Sequence, residues 1–360
     1  MTTRYQIVFL GQPGAVADAV QDTVRARVGE LGLDPDDALV FLNGSSFGGY
    51  RSAAPTVGVY FGTRTHAAAD LDAIRALAAD AVTVVPAVED LQRYPEFVPK
   101  ELEPVNGMQV DARPERVEAL SNLLLEWLNL LRATRRLFIS YRRKESRSVA
   151  IQLYEMLDER GFDVFLDTVS IRPGEPFQDE LWHRLSDTDV VVLLDTRDFL
   201  GSRWTAEELA RASTMSIGIL QLVWPGHTRS GSSALAIPRY LTAADFVGRD
   251  RVGDRVRFKP HVLAELAGSV ESLRARSLAA RQDGMIREFQ RAAALVGRTT
   301  TLNPERYISI FSAKGEEIAV IPTVGVPDAL RYNQGQDLIA AIRKHDIEKV
   351  YLVYDHRSLR

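Results

Sequence analysis

Four short apolar runs constrain this chain more than any other feature: residues 137–141 (LFISY), 163–167 (DVFLD), 189–194 (DVVVLL) and 217–223 (IGILQLV). All four read as strands, and DVVVLL is the continuous kind of run found when both sheet faces are covered, the pattern of a parallel sheet flanked by helices. The spacers agree. Residues 148–160 place Val149, Leu153, Met156 and Leu157 on one helical face, and Gly161 stands where a left-handed cap ends a helix. A Pro/Gly loop, TVSIRPGEPF, follows the second run, a helix begins at 178–185, and another covers 202–215 with Ser202 as its cap. The expected product is a doubly wound sheet whose ligands lie beyond the carboxyl ends of its strands.

The rest of the chain reads as additional modules. Residues 5–10 form an apolar run ended by GQPG, and Val16, Val20, Val24, Val28 and Leu31 then recur at helical spacing. Strand-like segments at 38–42 and 56–61, a helix over 67–81 and the run VTVVPAV complete a second, small α/β domain over residues 1–112. Its GQPG turn could offer amides to a phosphate, but it lacks the Lys and Ser/Thr of a nucleotide-triphosphate loop, and a tight strand-to-helix turn is the better explanation. Pro95, Pro99 and Pro104 exclude an ordinary helix or central strand over 94–106. Pro114 opens a connecting helix within 113–134, with Val117, Leu120, Leu124, Trp127, Leu128 and Leu131 on one face. The central domain spans 135–260. After it, residues 261–360 read as a helix running to Val296, a hairpin over 307–311 and 317–321, a short helix at 337–344 and a last strand, VYLVY: a small α+β module for sensing or assembly.

Composition removes several function classes. The chain of 360 residues has a formal charge of −4 and no cysteine. A near-neutral chain gives no electrostatic reason to expect nucleic acid or an anionic membrane as partner, and the absence of thiols excludes disulfides and thiolate catalysis and suits a reducing cytoplasm. The most apolar stretch, LLLEWLNLL, is interrupted by Glu126 and Asn129 and falls short of the roughly eighteen residues of a membrane span. The six histidines show no metal-ligand spacing, and no GxSxG nucleophile turn occurs. His183, beside Trp182, reads as a surface residue.

Three strings in the central domain, FISYRRKES, GFDVFLDTVSIRPGEPF and SRWTAEEL, together resemble a Toll/interleukin-1 receptor (TIR) domain of the bacterial, NAD-cleaving, antiphage-defence kind. The resemblance implies a flavodoxin-like fold with a parallel sheet and an NAD+ nucleosidase, a glycohydrolase or cyclase that takes NAD+ as substrate and needs no cofactor. It places the required glutamate at Glu208, four residues after Trp204. Helical spacing alone would also tolerate Glu207, which points about 100° away, so the choice of Glu208 comes from the resemblance. It further implies that Arg142 and Arg143 contact phosphate, that Phe177 packs on the dinucleotide, and that Trp204 stacks on nicotinamide or adenine. Plain surface charge for the arginines and a core or interface role for the aromatics are the competing readings. Asp195 and Thr196 depart from the family, many of whose members carry serine there. Self-association through the loop 168–177, together with a partner protein or trigger ligand, is the implied mode of activation. A TIR adaptor that binds other TIR domains without catalysis is the alternative.

Overall fold

The computed structural model describes residues 5–52, 54–166, 187–197, 216–229, 236–248, 253, 255–303, 306–327, 329, 332–333, 335–336, 339 and 347–355. The chain divides into two compact units: Met1–Ala133 with Gln290–Pro322 and Asp328–Leu352, and Thr134–Phe289 with Thr323–Pro327 and Val353–Arg360.

The first unit contains a five-stranded parallel sheet. Its strands are β1 (Tyr5–Gly11), β2 (Leu39–Asn43), β3 (Thr56–Phe61), β4 (Val84–Val88) and the two-residue β5 (Met108–Gln109), in the order β2-β1-β3-β4-β5. Helix α1 (Gly14–Glu30) buries Val20, Val24 and Val28, as their spacing requires. Gly11 is obligatory: its φ is +79°, and a Cβ there would meet the Phe61 carbonyl oxygen at 2.0 Å. Gly11→Ala is therefore expected to cost at least about 1–3 kcal/mol from the left-handed backbone alone. A shift in the urea midpoint of the purified variant measures it. The proline-rich segment contains a single short helix, α2 (Tyr94–Phe97), among turns.

Helix α3 (Pro114–Trp127) starts at its proline and buries Val117, Leu120, Leu124 and Leu125. Trp127 contradicts the expected face, since it is 51% exposed. It is the last residue of the helix, and the chain turns at Asn129, whose φ is +56°, so Leu128, Leu130 and Leu131 reach the core instead. The same unit holds a second sheet of four strands, β11-β12-β13-β14, with an antiparallel hairpin between β12 (Ile308–Phe311) and β13 (Glu317–Pro322). Its outer strands are β11 (Thr300–Leu302) and β14 (Ile347–Val353).

The second unit is built on β6 (Arg136–Ser140), β7 (Asp163–Leu166), β8 (Val190–Asp195), β9 (Gly218–Val223) and β10 (Ile237–Tyr240), all parallel, in the order β10-β9-β8-β6-β7. Every residue of β8 and β9 is buried, which explains their largely apolar sequences, with Asp195 and Gln221 the buried polar exceptions. Helix α4 (Arg143–Asp158) begins five residues before the expected start. Gly161 ends it as expected, with φ +81° and the Phe162 N–H bonded back to the Leu157 carbonyl at 3.1 Å. The edge strand β10 was not expected, because Pro238 lies in it and its residues are half-exposed or exposed. A long helix, Pro260–Leu295, packs Val262, Leu266, Val270 and Leu273 into the same core as β6 and β8.

Candidate functional site

Chain order and sheet order together locate the site in the second unit. From β6 the chain moves outward to β7, then returns to the other side of β6 for β8, so the switch in direction lies between β6 and β8. In sheets of this kind ligands bind beyond the carboxyl ends of the strands at such a switch point. Ser140 ends β6 in register with Leu193, two residues before Asp195 ends β8.

Two hydroxyls are buried at this edge. Ser140 and Thr196 are each 1% exposed, and neither Oγ has a hydrogen-bond partner. Burying a hydroxyl without a partner costs free energy, so each marks a place where a hydrogen-bonding group would be stabilising.

Arg142 and Arg143 follow directly. Arg142 caps α4 in extended conformation and its Nη1 lies 3.5 Å from Glu145 Oε1; it is half-buried, while Arg143 is exposed at the first helical position. The first turn of α4 is stepped out from the rest by Ser146, whose φ of −137° and ψ of 18° are not helical. Residues of the 253–258 stretch hold that step in place. The Gly253 N–H bonds the Glu145 carbonyl at 3.0 Å, the Ser148 hydroxyl bonds the Val256 carbonyl at 2.8 Å, and Gln152 and Phe258 exchange two bonds of 3.1 and 2.8 Å. Two guanidinium-bearing residues are thus held on a braced turn just past the carboxyl end of β6.

A polar chain that sequence reasoning missed closes the β8–β9 side. Asp195, 1% exposed, accepts a bond of 2.6 Å from Gln221 Nε2 and lies 3.0 Å from His227 Nε2. Arg229 Nε donates to Gln221 Oε1 at 2.8 Å. The loop after β9 is thereby tied to the end of β8. Asp195→Ala removes the acceptor of both Gln221 and His227 and is expected to lower stability by about 1–3 kcal/mol, read as a lower thermal midpoint. The signal available in the sequence was an aspartate ending an apolar strand, and nothing near it points to a histidine 32 residues away. Phe177, Trp204, Glu207 and Glu208, with Trp182 and His183, lie outside the described residues. Among the described residues no group of three or more His, Cys, Asp or Glu is placed to hold a metal ion.

Residues 137–253 match the family model of the TIR domain. This stretch is a TIR domain. Its parallel sheet, buried central strands and arginine-bearing turn after β6 are the parts just described. No curated protein matches the chain. Among solved structures, a protein described as a two-component response regulator with a GGDEF domain is 10% identical, with 75% of this chain and 98% of that one covered and a TM-score of 0.30. The tagatose-6-phosphate ketose/aldose isomerase of Escherichia coli is 11% identical, covers 78% and 83%, and has a TM-score of 0.22. Values this low carry no inference about the fold or activity of this chain. Among the described residues no helix is long and apolar enough to cross a membrane.

Proposed function

We propose that the TIR domain is an NAD+ glycohydrolase or cyclase that breaks the bond between nicotinamide and ribose. One observation supports the reading beyond the family match: Ser140 and Thr196 present buried, unpartnered hydroxyls at the ends of the two strands that flank the switch point. A ligand rich in hydroxyl and phosphate oxygens satisfies such a site.

In the proposed reaction Arg142 and Arg143 hold the pyrophosphate, and Phe177 and Trp204 pack against the planar rings. The C1′–N bond breaks, and its electron pair leaves with nicotinamide. The ribosyl group becomes cationic, and the Glu208 carboxylate stabilises that charge. Water then bonds to C1′ and loses a proton to give ADP-ribose, or an adenine nitrogen of the same molecule bonds there to give a cyclic product.

Self-association through the loop 168–177 closes the site in this proposal, and the regions 1–112, 113–134 and 261–360 govern when it closes, in answer to a trigger ligand or partner protein. The biological setting proposed is antiphage defence or immune signalling in the bacterial cytoplasm. Incubating the full chain with NAD+, at a concentration that drives self-association, and measuring free nicotinamide tests the proposal. An adaptor that only binds other TIR domains releases none.

A further inference from the structure

The parallel sheet of the first unit has its own crevice, independent of the TIR site. In the order β2-β1-β3-β4-β5 the chain reverses direction between β1 and β3. A cavity of about 680 Å³ lies at the carboxyl ends of these strands, lined by the segments after β1 (Gln12 to Val16), β3 (Gly62 to Thr65) and β4 (Glu89, Asp90). Both its position and its volume are those of a small-molecule site.

The lining specifies the ligand. One wall is the start of α1, where the first helical bond runs from the Ala17 N–H to the Pro13 carbonyl at 3.2 Å. The amides of Gly14, Ala15 and Val16 precede it, and no side chain caps the helix and no acidic residue stands in its first turn. Across the cavity, Arg64 and Arg93 both lie against the Phe97 ring, at 5.5 and 5.4 Å from its centre. Arg93 is held by Glu96 at 2.6 Å, whereas Arg64 is 63% exposed and 3.5 Å from Glu96, a loose pairing that leaves it able to turn inward at little cost. The third wall carries Glu89 and Asp90. Two carboxylates oppose a polyphosphate but accept hydrogen bonds from sugar hydroxyls.

We propose that this cavity binds a phosphomonoester carried on a ribose-sized polyhydroxyl body, with the phosphate on the Gly14–Val16 amides and Arg64, and the hydroxyls on Glu89 and Asp90. The sequence permits the close approach, since Gly11 lets the turn fold back until the Gln12 N–H bonds the Phe61 carbonyl at 3.0 Å.

Isothermal titration of the full chain with AMP, ribose 5-phosphate, inorganic phosphate and adenosine, at matched ionic strength, tests the proposal. Saturable binding of AMP or ribose 5-phosphate is expected, with adenosine and inorganic phosphate at least about tenfold weaker. Ala15→Glu places a carboxylate where the phosphate sits. An acid in the first turn is favourable to the helix, so the ligand-free variant keeps its thermal midpoint while AMP affinity falls at least about tenfold. Arg64→Gln weakens the phosphomonoesters and leaves adenosine unchanged. The proposal is overturned if neither phosphomonoester binds, if adenosine or inorganic phosphate binds as well as AMP, or if Ala15→Glu leaves the affinity intact. The last result would move the binding to another site, the TIR crevice included.

Discussion

Replacing Arg274 with alanine is expected to destabilise the second unit by about 3–5 kcal/mol. Arg274 is fully buried on the long helix, with Nε 3.3 Å from Asp189 Oδ2 and Nη1 3.7 Å from Glu271 Oε2. Asp189 is equally buried, and Glu271 is also held by Arg135 at 3.0 Å. Asp189 also accepts a 3.3 Å bond from the Arg136 N–H at the start of β6. The cluster therefore joins the long helix to the amino ends of β6 and β8, the edge opposite the site. Removing the cation takes the Arg274 guanidinium away from two buried carboxylates, Asp189 and Glu271. Such a loss exceeds what a fully formed pair contributes, because the remaining charges have no water to return to. Hydrogen exchange over β8 is the appropriate reading, since it reports this unit alone. Protection of the Val190–Asp195 amides should fall at least about a hundredfold. A fall of less than about fivefold would mean that the carboxylates are neutralised by other groups. Arg274→Met should show nearly the same loss, because restoring the packing does not restore the charge.

The second large effect concerns the reaction. Glu208→Ala is expected to reduce NAD+ cleavage by about 10²–10³, the range for losing one group aimed at transition-state charge. Glu207→Ala should leave it nearly unchanged, because on the helix the sequence predicts over 202–215 neighbouring positions point about 100° apart. Binding offers a second readout. Glu208→Ala should lower kcat with little change in KM, whereas Arg142→Ala, which in the proposed reaction removes a phosphate contact made before and during bond breaking, should mainly raise KM. Equal losses from Glu207 and Glu208 would withdraw the assignment.

Legibility in the sequence followed burial. The runs 137–141, 189–194 and 217–223 became β6, β8 and β9, since strands covered on both faces are mostly apolar, with Ser140 and Gln221 the polar interruptions. Among the edge strands of the two parallel sheets, those at 38–42 and 163–167 were read, whereas two others escaped. The segments Met108–Gln109 and Ile237–Tyr240 are short or half-exposed and carry no continuous apolar signal. The start of α4 was hidden because its first turn, RKES, is charged, and its helical spacing is broken at Ser146. Trp127 was assigned to a buried face by spacing alone, but the helix ends on it and leaves it in solvent.

Of the candidate site, the positions of Arg142 and Arg143 just after β6 were legible because a buried strand precedes them, whereas their phosphate contact comes from the resemblance and belongs to the proposal. Asp195 was noticed only as a departure from a family pattern. Its role as the acceptor shared by Gln221 and His227 depends on β8 and β9 lying side by side, a pairing that no local pattern records. The bare hydroxyls of Ser140 and Thr196 were invisible for the same reason, because a missing partner is a property of the packed fold.

Release of nicotinamide from NAD+ by the concentrated full chain, with wild type, Glu207→Ala and Glu208→Ala assayed side by side and the products resolved, tests the central claim most directly. Nicotinamide should appear in step with ADP-ribose or its cyclic isomer for wild type and Glu207→Ala, and be lost for Glu208→Ala. Intact NAD+ after incubation with wild type, or release that persists in Glu208→Ala, would contradict it.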